Sequence, residues 1–318
     1  MSPWNGYAVF PSRTSGLLRL ALTVALLATG MASAVAQPQA SPSPPVQHQP
    51  PVMFSWRVVA PHLQLATAHH GDISMLWMDP AFLRFRFIPG FTWPEHSPRT
   101  AADHDPRTWV GSMIAAFNGA YKLSDRAGGY YYLGRTVAPL RAGLASMVFS
   151  KDGTLKVGVW GRDVQMSPDV LAVRQNLKPI VLDGIAQTRR TDTIRTWGRT
   201  ITTNPFTNRS ALAQLADGTL VFLFVHAADS AMLAKDLVAV GARVAIVLDM
   251  NGLWPTGYLY SHHGKTIRGT KINANIVRSP KIYFDTLNKD FVVVQSPDLL
   301  VRASARAGAS ASTPAGQG

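Results

Sequence analysis

Short apolar runs separated by turn signals dominate the hydrophobic pattern of this chain. Runs of this length, rich in β-branched and aromatic residues, predict β-strands. Asp152-Gly153 and Asp217-Gly218 each separate two such runs and predict tight hairpins, because glycine after aspartate accepts the positive φ of the turn. The predicted strands cover residues 54–59, 64–68, 82–88, 113–118, 147–149, 154–160, 180–182, 210–215, 219–225 and 244–248.

One segment has a clear helical pattern. Asp229 and Ser230 can both cap free backbone amides, the apolar positions of residues 231–238 follow, and Gly241 ends the segment. The buried strand predicted at 244–248 comes next. Many hairpins and a single strand–helix–strand unit predict an α+β fold, with a mixed, largely antiparallel sheet and a few packed helices in a single domain.

The two ends of the chain differ from its middle. Residues 1–36 combine basic Arg13 and Arg19, the apolar run 20–27 and a small-residue cleavage site, which predicts a signal peptide and a periplasmic or extracellular protein. An uncleaved anchor is the alternative, but this run is shorter than the roughly 20 residues that cross a bilayer. Residues 37–51 are predicted to be a Pro-rich disordered linker and 303–318 a disordered tail, which leaves 52–302 as the folded domain without an integral membrane segment.

Charge and cysteine content limit the chemistry. The chain has no cysteine, which excludes disulfides, thiol nucleophiles and thiolate metal sites. Its net charge of +13 becomes +11 when Arg13 and Arg19 leave with the signal, because residues 1–36 contain no Asp or Glu. A positive field favours anionic partners such as phosphate-bearing glycan. Nucleic acid is not expected, since no basic run is interleaved with aromatic residues.

Several polar residues lie where apolar strands end. An apolar run stops at Asn118-Gly119, and the string Ile-Val-Leu-Asp ends two other runs, at Asp183 and at Asp249. Asn118 can offer an amide to a sugar hydroxyl or a phosphate oxygen, and two carboxylates in one site could share acid and base roles. The alternative is that each of these residues only forms a turn.

Three further residues are candidates. Arg209 begins a strand and could bind a phosphodiester with two parallel hydrogen bonds. His226 follows an apolar run and could act as an acid or a base, although a structural role is the alternative. Asp249 and Asn251 could also hold Ca²⁺, but no acidic EF-hand loop accompanies them, so no metal and no cofactor are expected.

The order of these segments resembles the phosphodiester glycosidase family, whose members hydrolyse the bond between a sugar's anomeric carbon and a phosphodiester. The family's Asn-Gly-Gly turn, its Arg-(Thr/Ser)-Ala-Ile-Gly strand followed by an Asp-Gly turn, and its Leu-Asp-Gly-Gly-Gly-Ser strand end occur in this order. The corresponding segments here span about 113–280. The resemblance assigns site positions to Asn118, Gly119, Asp183, Arg209 and Asp249.

The chain departs from the family pattern at two places. Ala120 stands where a second glycine is usual, and Met250-Asn251-Gly252 replaces the glycine run after the aspartate. Similar Asp-x-Asn segments occur in some bacterial relatives, so Asn251 is expected to replace the lost backbone donors.

The resemblance implies a hydrolase of sugar-1-phosphodiesters. In this hypothesis Arg209 and Asn118 bind the phosphodiester, Asp249 stabilises the cationic transition state or activates water, and Asp183 or His226 moves protons. The alternatives are a noncatalytic envelope protein that binds anionic glycan and a hydrolase for another phosphodiester or glycan.

Overall fold

Continuous apolar runs form the central strands of this protein. The computed structural model describes residues 46–193, 196–202 and 204–302, which belong to one compact unit. In the strand Leu220–Ala228 every residue from Leu220 to Val225 is buried, whereas the edge strand Arg57–Ala60 has none. A strand covered on both faces needs apolar side chains at every position, so run length separates central strands from edge strands.

Within the described residues, eighteen strands form three sheets. The order is β1-β2-β3-β14-β13-β15-β11-β12 in the first sheet, β7-β6-β10-β8-β9 in the second, and β17-β16-β5-β18-β4 in the third. The strands are β1 (Arg57–Ala60), β2 (Leu63–Ala68), β3 (Ile73–Met78), β4 (Arg84–Ile88), β5 (Met113–Asn118), β6 (Tyr130–Tyr132), β7 (Arg135–Ala138), β8 (Ala145–Ser150), β9 (Leu155–Val159), β10 (Val170–Gln175), β11 (Val181–Leu182), β12 (Ile185–Ala186), β13 (Thr207–Leu215), β14 (Leu220–Ala228), β15 (Ala242–Met250), β16 (Gly257–His263), β17 (Thr266–Lys271) and β18 (Phe291–Gln295).

Helices contribute little to the described part of the chain. They are α1 (Arg107–Val110), α2 (Ser230–Ala239), a helical segment from residue 297 and four short 3-10 turns. The Asp229 side chain accepts a hydrogen bond from the Met232 amide, as the cap at 229–230 predicts. The fold is therefore dominated by β-sheet, and its helical part is smaller than the α+β prediction implied.

The two strands of the strand–helix–strand unit are not adjacent in the sheet. β14 and β15 both pair antiparallel with β13, so they run parallel to each other on its two sides, and α2 connects them. The adjacent strands in all three sheets are antiparallel. Both predicted hairpins are present, at β8–β9 and at β13–β14.

Two hydrophobic clusters lie on the two faces of the first sheet. One face packs on α2 through Leu233 and Leu237, and the other packs on the second and third sheets. Phe222 of β14 stacks on Phe117 of β5, with ring centroids 4.6 Å apart, and this contact joins the first and third sheets. Since β5 ends one residue later at Asn118, this packing also fixes the position of that side chain.

The predicted signal peptide (1–36) and tail (303–318) lie outside the described residues, as does the linker up to residue 45. The end of the predicted linker contacts the domain. Trp56 Nε1 donates to the Pro51 carbonyl oxygen (2.7 Å), and the His48 backbone amide donates to the buried Asp79 carboxylate (3.2 Å). Within the described ranges, no helix combines the length and the apolar character needed to span a membrane.

We predict that Phe222→Ala destabilises the protein by about 3–5 kcal/mol, because it leaves a cavity at the junction of two sheets. Phe91→Ala removes the same atoms from a side chain that is 63% exposed, and it should change stability by less than about 1 kcal/mol. Urea unfolding measures both values. Equal losses for the two variants would contradict the assignment of Phe222 to the core.

Candidate functional site

A β-bulge at the end of β15 aims the Asp249 side chain. Arg209 pairs with Met250 and Ala211 pairs with Val247, so β15 has one residue more than β13 between these two pairs. An extra residue reverses the inward and outward alternation beyond it. Met250 therefore packs in the cluster that contains Val247, while the Asp249 carboxylate contacts Lys289, which precedes β18 of the third sheet.

Buried Asn176 stabilises this bulge. Its side-chain amide donates to the carbonyl oxygens of Val247 and Leu248, both at 2.7 Å. These carbonyls lie beyond the short pairing of β11 with β15, which ends at Ala245. Buried carbonyl groups need a hydrogen-bond donor, and the Asn176 side chain supplies it beyond the end of the neighbouring strand β11.

Asp249 forms a buried ion pair with Lys289. The Lys289 ammonium donates to Asp249 Oδ2, and the Met250 amide donates to Asp249 Oδ1 (2.8 Å). Both side chains are buried, at 5% and 7% exposure. Burial raises the pKa of the Asp249 carboxyl above its usual range, and Lys289 opposes this effect without cancelling it.

Asn118 connects the third sheet to the first beside this pair. Its Nδ2 donates to Ser210 Oγ (2.9 Å), its Oδ1 accepts from the Thr256 amide (2.9 Å), and Ser210 Oγ donates to the Asp249 carbonyl oxygen (3.1 Å). Asn118 is thus held by two strands and a loop. Its amide is occupied by protein groups, which makes it a residue that positions Asp249.

A second buried ion pair lies directly behind the first. Arg174 Nε donates to Asp290 Oδ2 (2.9 Å), and both side chains are 1% exposed. The Gly119 amide donates to the Asp290 carbonyl oxygen (2.9 Å), and a Cβ at Gly119 would lie 2.5 Å from Asp290 Cγ. Glycine is required here by this close approach, which brings the end of β5 against the residue that follows Lys289.

An open cleft of about 580 Å³ lies above Asp249 and Lys289. The pKa of Tyr121 is raised by burial, so its phenol stays neutral and donates to the Trp197 carbonyl oxygen (2.9 Å). Lys289 Nζ lies 4.8 Å from the Trp254 ring centroid. The charged, aromatic and amide side chains that line this cleft, which we call the Asp249 cleft, are Tyr121, Lys122, Asp125, Arg199, Asp249, Asn251, Trp254 and Lys289.

Asn251 lies at the rim of the Asp249 cleft in a left-handed conformation (φ 81°). Its Oδ1 accepts a hydrogen bond from the Ile201 amide (3.1 Å), which ties the segment around residue 201 to the end of β15. Asparagine tolerates this conformation better than most residues. The predicted position of Asn251 in the site is consistent with this placement, and its substrate contact stays a prediction.

Arg209 lies next to the Asp249 cleft but lines a different cavity, of about 440 Å³. Its Nε and Nη2 donate to the carbonyl oxygens of Ala228 (2.8 Å) and Pro205 (3.0 Å), and Nη1 lies 3.9 Å from Met250 Sδ. Burial lowers the pKa of its guanidinium. Arg209 thus supports Met250 from behind, and the geometry does not present it to the Asp249 cleft.

Asp183 lies away from Asp249. β11 runs antiparallel to β15 and pairs Leu182 with Val244, so the end of β11 meets the beginning of β15. Asp249 is five positions after Val244, a distance of about 16 Å along a strand. Asp183 is exposed and forms two hydrogen bonds with Arg162, at 2.7 and 2.9 Å. The expected meeting of two carboxylates is therefore not formed by this residue.

His226 is at the same end of the first sheet but on the far side of β13 from Asp249. Two strand spacings separate β14 from β15, about 10 Å. The imidazole Nδ1 hydrogen-bonds Asn208 Oδ1 (2.8 Å), and His226 does not line the Asp249 cleft. This geometry fits the structural alternative for His226.

Sequence patterns did not single out Lys289, Asp290 or Arg174. One signal was available, since Arg174 directly follows a run of four apolar residues, and a charge in such a position needs a partner. Lys289 and Asp290 directly precede the apolar strand β18, as Asp249 ends another. In the described residues no group of three or more His, Asp or Glu side chains is arranged to hold a metal ion.

Comparisons with known proteins give fold-level likenesses. No family model matches the sequence, and no curated protein matches it. The catalytic domain of zebrafish N-acetylglucosamine-1-phosphodiester alpha-N-acetylglucosaminidase, in a form auto-inhibited by its pro-peptide, is 16% identical, with 73% of this chain and 77% of that chain covered and a TM-score of 0.43.

Two bacterial structures are similar at the same level. A hypothetical protein from Synechocystis is 10% identical, with 76% of this chain and 61% of that chain covered and a TM-score of 0.37. A protein of Burkholderia pseudomallei described as exported is 8% identical, with 74% of each chain covered and a TM-score of 0.40.

We predict that Lys289→Met destabilises the protein by about 3–5 kcal/mol near neutral pH, because it leaves Asp249 buried without its cation. The loss should shrink as the pH falls. When folding raises the pKa of a carboxyl, the native state loses stability as the pH rises from the pKa of the unfolded chain, about 3.8, to the pKa of the folded protein. Removing Lys289 raises the folded pKa of Asp249 further, so this loss continues to a higher pH.

Urea unfolding between pH 4 and pH 8 measures this dependence. The double variant Asp249→Asn with Lys289→Met removes both charges and serves as the control, because its stability should not follow the same pH curve. If Lys289→Met loses the same amount of stability at every pH between 4 and 8, Asp249 does not carry the buried charge.

Proposed function

We propose that this protein is an exported hydrolase that cleaves the anomeric C–O bond of a sugar-1-phosphodiester in the Asp249 cleft. The observation that carries the proposal is the buried pair of Asp249 and Lys289 at the floor of an open cleft whose walls hold Lys122, Arg199 and Trp254. Carboxylate, cations and indole are the groups that a sugar bound to a phosphate would need.

The size and lining of the cleft suit such a substrate. A volume of about 580 Å³ is in the range of small-molecule sites. Trp254 lines the cleft, and its indole brings aromatic surface that a sugar ring can contact. Lys122 and Arg199 bring positive charge to the same cleft, where a phosphodiester would carry its negative charge.

In the proposed reaction Asp249 faces the anomeric carbon and stabilises the positive charge that develops there. The C–O bond breaks with its electron pair going to the phosphate oxygen, and water supplies the new oxygen at the anomeric carbon. A departing phosphate is a weak base, so it needs positive charge more than a proton. Lys289, Lys122 and Arg199 would supply that charge.

A second carboxylate in the cleft replaces Asp183 in this scheme. Asp125 lines the same cleft as Asp249 and lies near Tyr121, whose pKa its charge helps to raise. We assign Asp125 the removal of the proton from the attacking water. Asn118 and Arg209 act as positioning residues, Asn118 through Ser210 and the Asp249 backbone and Arg209 through Met250.

We predict that Asp249→Asn lowers kcat for a sugar-1-phosphodiester by about a thousandfold or more, since it removes the charge that stabilises the transition state. Release of reducing sugar from a panel of such substrates, with and without chelator, measures the activity. Asp183→Asn is the matched control and should retain activity, because Asp183 is exposed and paired with Arg162. Retained turnover by Asp249→Asn would contradict the mechanism.

We predict that the hydrolytic activity falls as the pH is lowered. Asp249 acts in its ionised form, and burial raises its pKa, so the acid limb of kcat should lie above the usual range of aspartate, near 3.8. Lys289→Met should move this limb further upward, because the opposing cation is lost. The pH profiles of the two proteins measure the shift, and a limb that moves downward would contradict it.

A noncatalytic anionic-glycan-binding protein is the second candidate. The observation that favours it is that both carboxylate oxygens of Asp249 already accept hydrogen bonds, from Lys289 and from the Met250 amide. Envelope glycan that binds without releasing reducing sugar would support this function over hydrolysis.

A further inference from the structure

A second cleft adjoins the Asp249 cleft and is strongly basic. Its volume is about 760 Å³, and Ala127 and Leu177 line both clefts. The Leu177 amide donates to the Ala127 carbonyl oxygen (2.7 Å), so a single pair of backbone segments separates them. The charged residues that line this second cleft, which we call the basic cleft, are Arg126, Arg141, Arg162, Lys178, Arg189 and Asp192.

Most of this positive charge has no carboxylate partner. Arg162 is paired with Asp163 and Asp183. Asp192 Oδ2 accepts hydrogen bonds from the Trp197 indole N–H (2.7 Å) and the Arg189 backbone amide (2.8 Å), and within the described residues this carboxylate forms no ion pair. Among the described residues, the guanidinium and ammonium groups of Arg126, Arg141, Lys178 and Arg189 form no ion pair.

Like charges that crowd one cleft repel each other, and a structure with nothing to bind would gain from dispersing them. Arg141 Nη2 donates to the Arg126 carbonyl oxygen (2.8 Å), which holds its guanidinium near the second arginine. The exposed side chains of Lys178 and Arg189 leave their charges accessible to a ligand. The cleft therefore holds several accessible cations that have no carboxylate partner among the described residues.

We propose that the basic cleft binds the phosphate groups of an anionic glycan whose terminal phosphodiester-linked sugar occupies the Asp249 cleft. This rests on the proposed function. The basic cleft also has partly exposed apolar surface from Leu144 and Leu182, which suits the C–H faces of sugar rings between phosphates. A single-stranded nucleic acid would instead need exposed aromatic rings for stacking, and Trp197, the aromatic residue of this lining, is buried.

Binding is tested in the full chain carrying Asp249→Asn, so that no probe is hydrolysed. The probe is a fluorescein-labelled phosphate-bearing oligosaccharide, with a neutral dextran of the same length for comparison. Replacing Arg126, Lys178 and Arg189 with Gln together should weaken binding on the order of tenfold at 0.1 M salt and flatten its salt dependence. The neutral dextran should bind neither protein well.

A matched variant separates local binding from the net field. Lys265, Arg268 and Lys271 are exposed residues of the β16–β17 hairpin and form no ion pair with described residues, and replacing all three with Gln removes the same charge. This control should lower affinity less than twofold. Equal losses in the two triple variants would overturn the proposal, and so would tighter binding of a labelled single-stranded oligonucleotide of equal charge.

A kinetic comparison keeps this inference distinct from the proposed function. In the otherwise wild-type chain, the triple variant of the basic cleft should leave kcat and KM for a small sugar-1-phosphodiester unchanged and should raise KM for the phosphate-bearing oligosaccharide about tenfold. If neither substrate is turned over, the proposed hydrolysis fails while the binding measurement still decides the basic cleft. If both KM values rise together, the basic cleft is not a separate subsite.

Discussion

The buried ion pair between Asp249 and Lys289 is the constraint on which the rest of the site depends. Removing two charges from water costs several kcal/mol for each ion, and the attraction between them returns this only when the geometry is good. The bulge in β15 aims Asp249, and the Met250 amide satisfies its second oxygen. Apolar residues of the same size would stabilise the fold as well or better, so stability alone does not account for a charged pair beneath an open cleft.

The second ion pair explains how Lys289 reaches its partner. Asp290 is fixed by Arg174 from the second sheet and by the Gly119 amide from the third. The residue before it therefore has little freedom, and its ammonium is delivered to Asp249 in the first sheet. All three sheets thus contribute to the position of the Asp249–Lys289 ion pair. Weakening a contact between two of the sheets, such as the stack of Phe117 on Phe222, would displace this ion pair.

The parts of the fold that depend on local pattern could be predicted from the sequence. Both hairpins, α2 and the strand that ends at Asn118 follow from turn residues, capping and apolar runs. Strand direction could not be read in this way. The same Ile-Val-Leu-Asp string ends β11 and β15, but antiparallel pairing places the two aspartates at opposite ends of β15.

The rest of the site depends on contacts between residues far apart in sequence. Lys289 meets Asp249 across 40 positions and Arg174 meets Asp290 across 116. No short motif encodes such a meeting, since each partner is an ordinary charged residue beside an apolar run. The bulge could not be predicted from the sequence either, because the extra residue in β15 is recognised only from its pairing register with β13.

Positive charge acts over two distances in this protein. Exposed cations of the basic cleft attract an anion through solvent, where salt screens the interaction beyond about 8–10 Å. Lys289 is buried, so its charge is screened far less and acts only on a group in contact with the cleft floor. The first arrangement favours capture of an anionic chain and the second favours charge stabilisation at one bond. Because Ala127 and Leu177 line both clefts, the proposed binding of an anionic chain in the basic cleft would place the end of that chain beside Asp249.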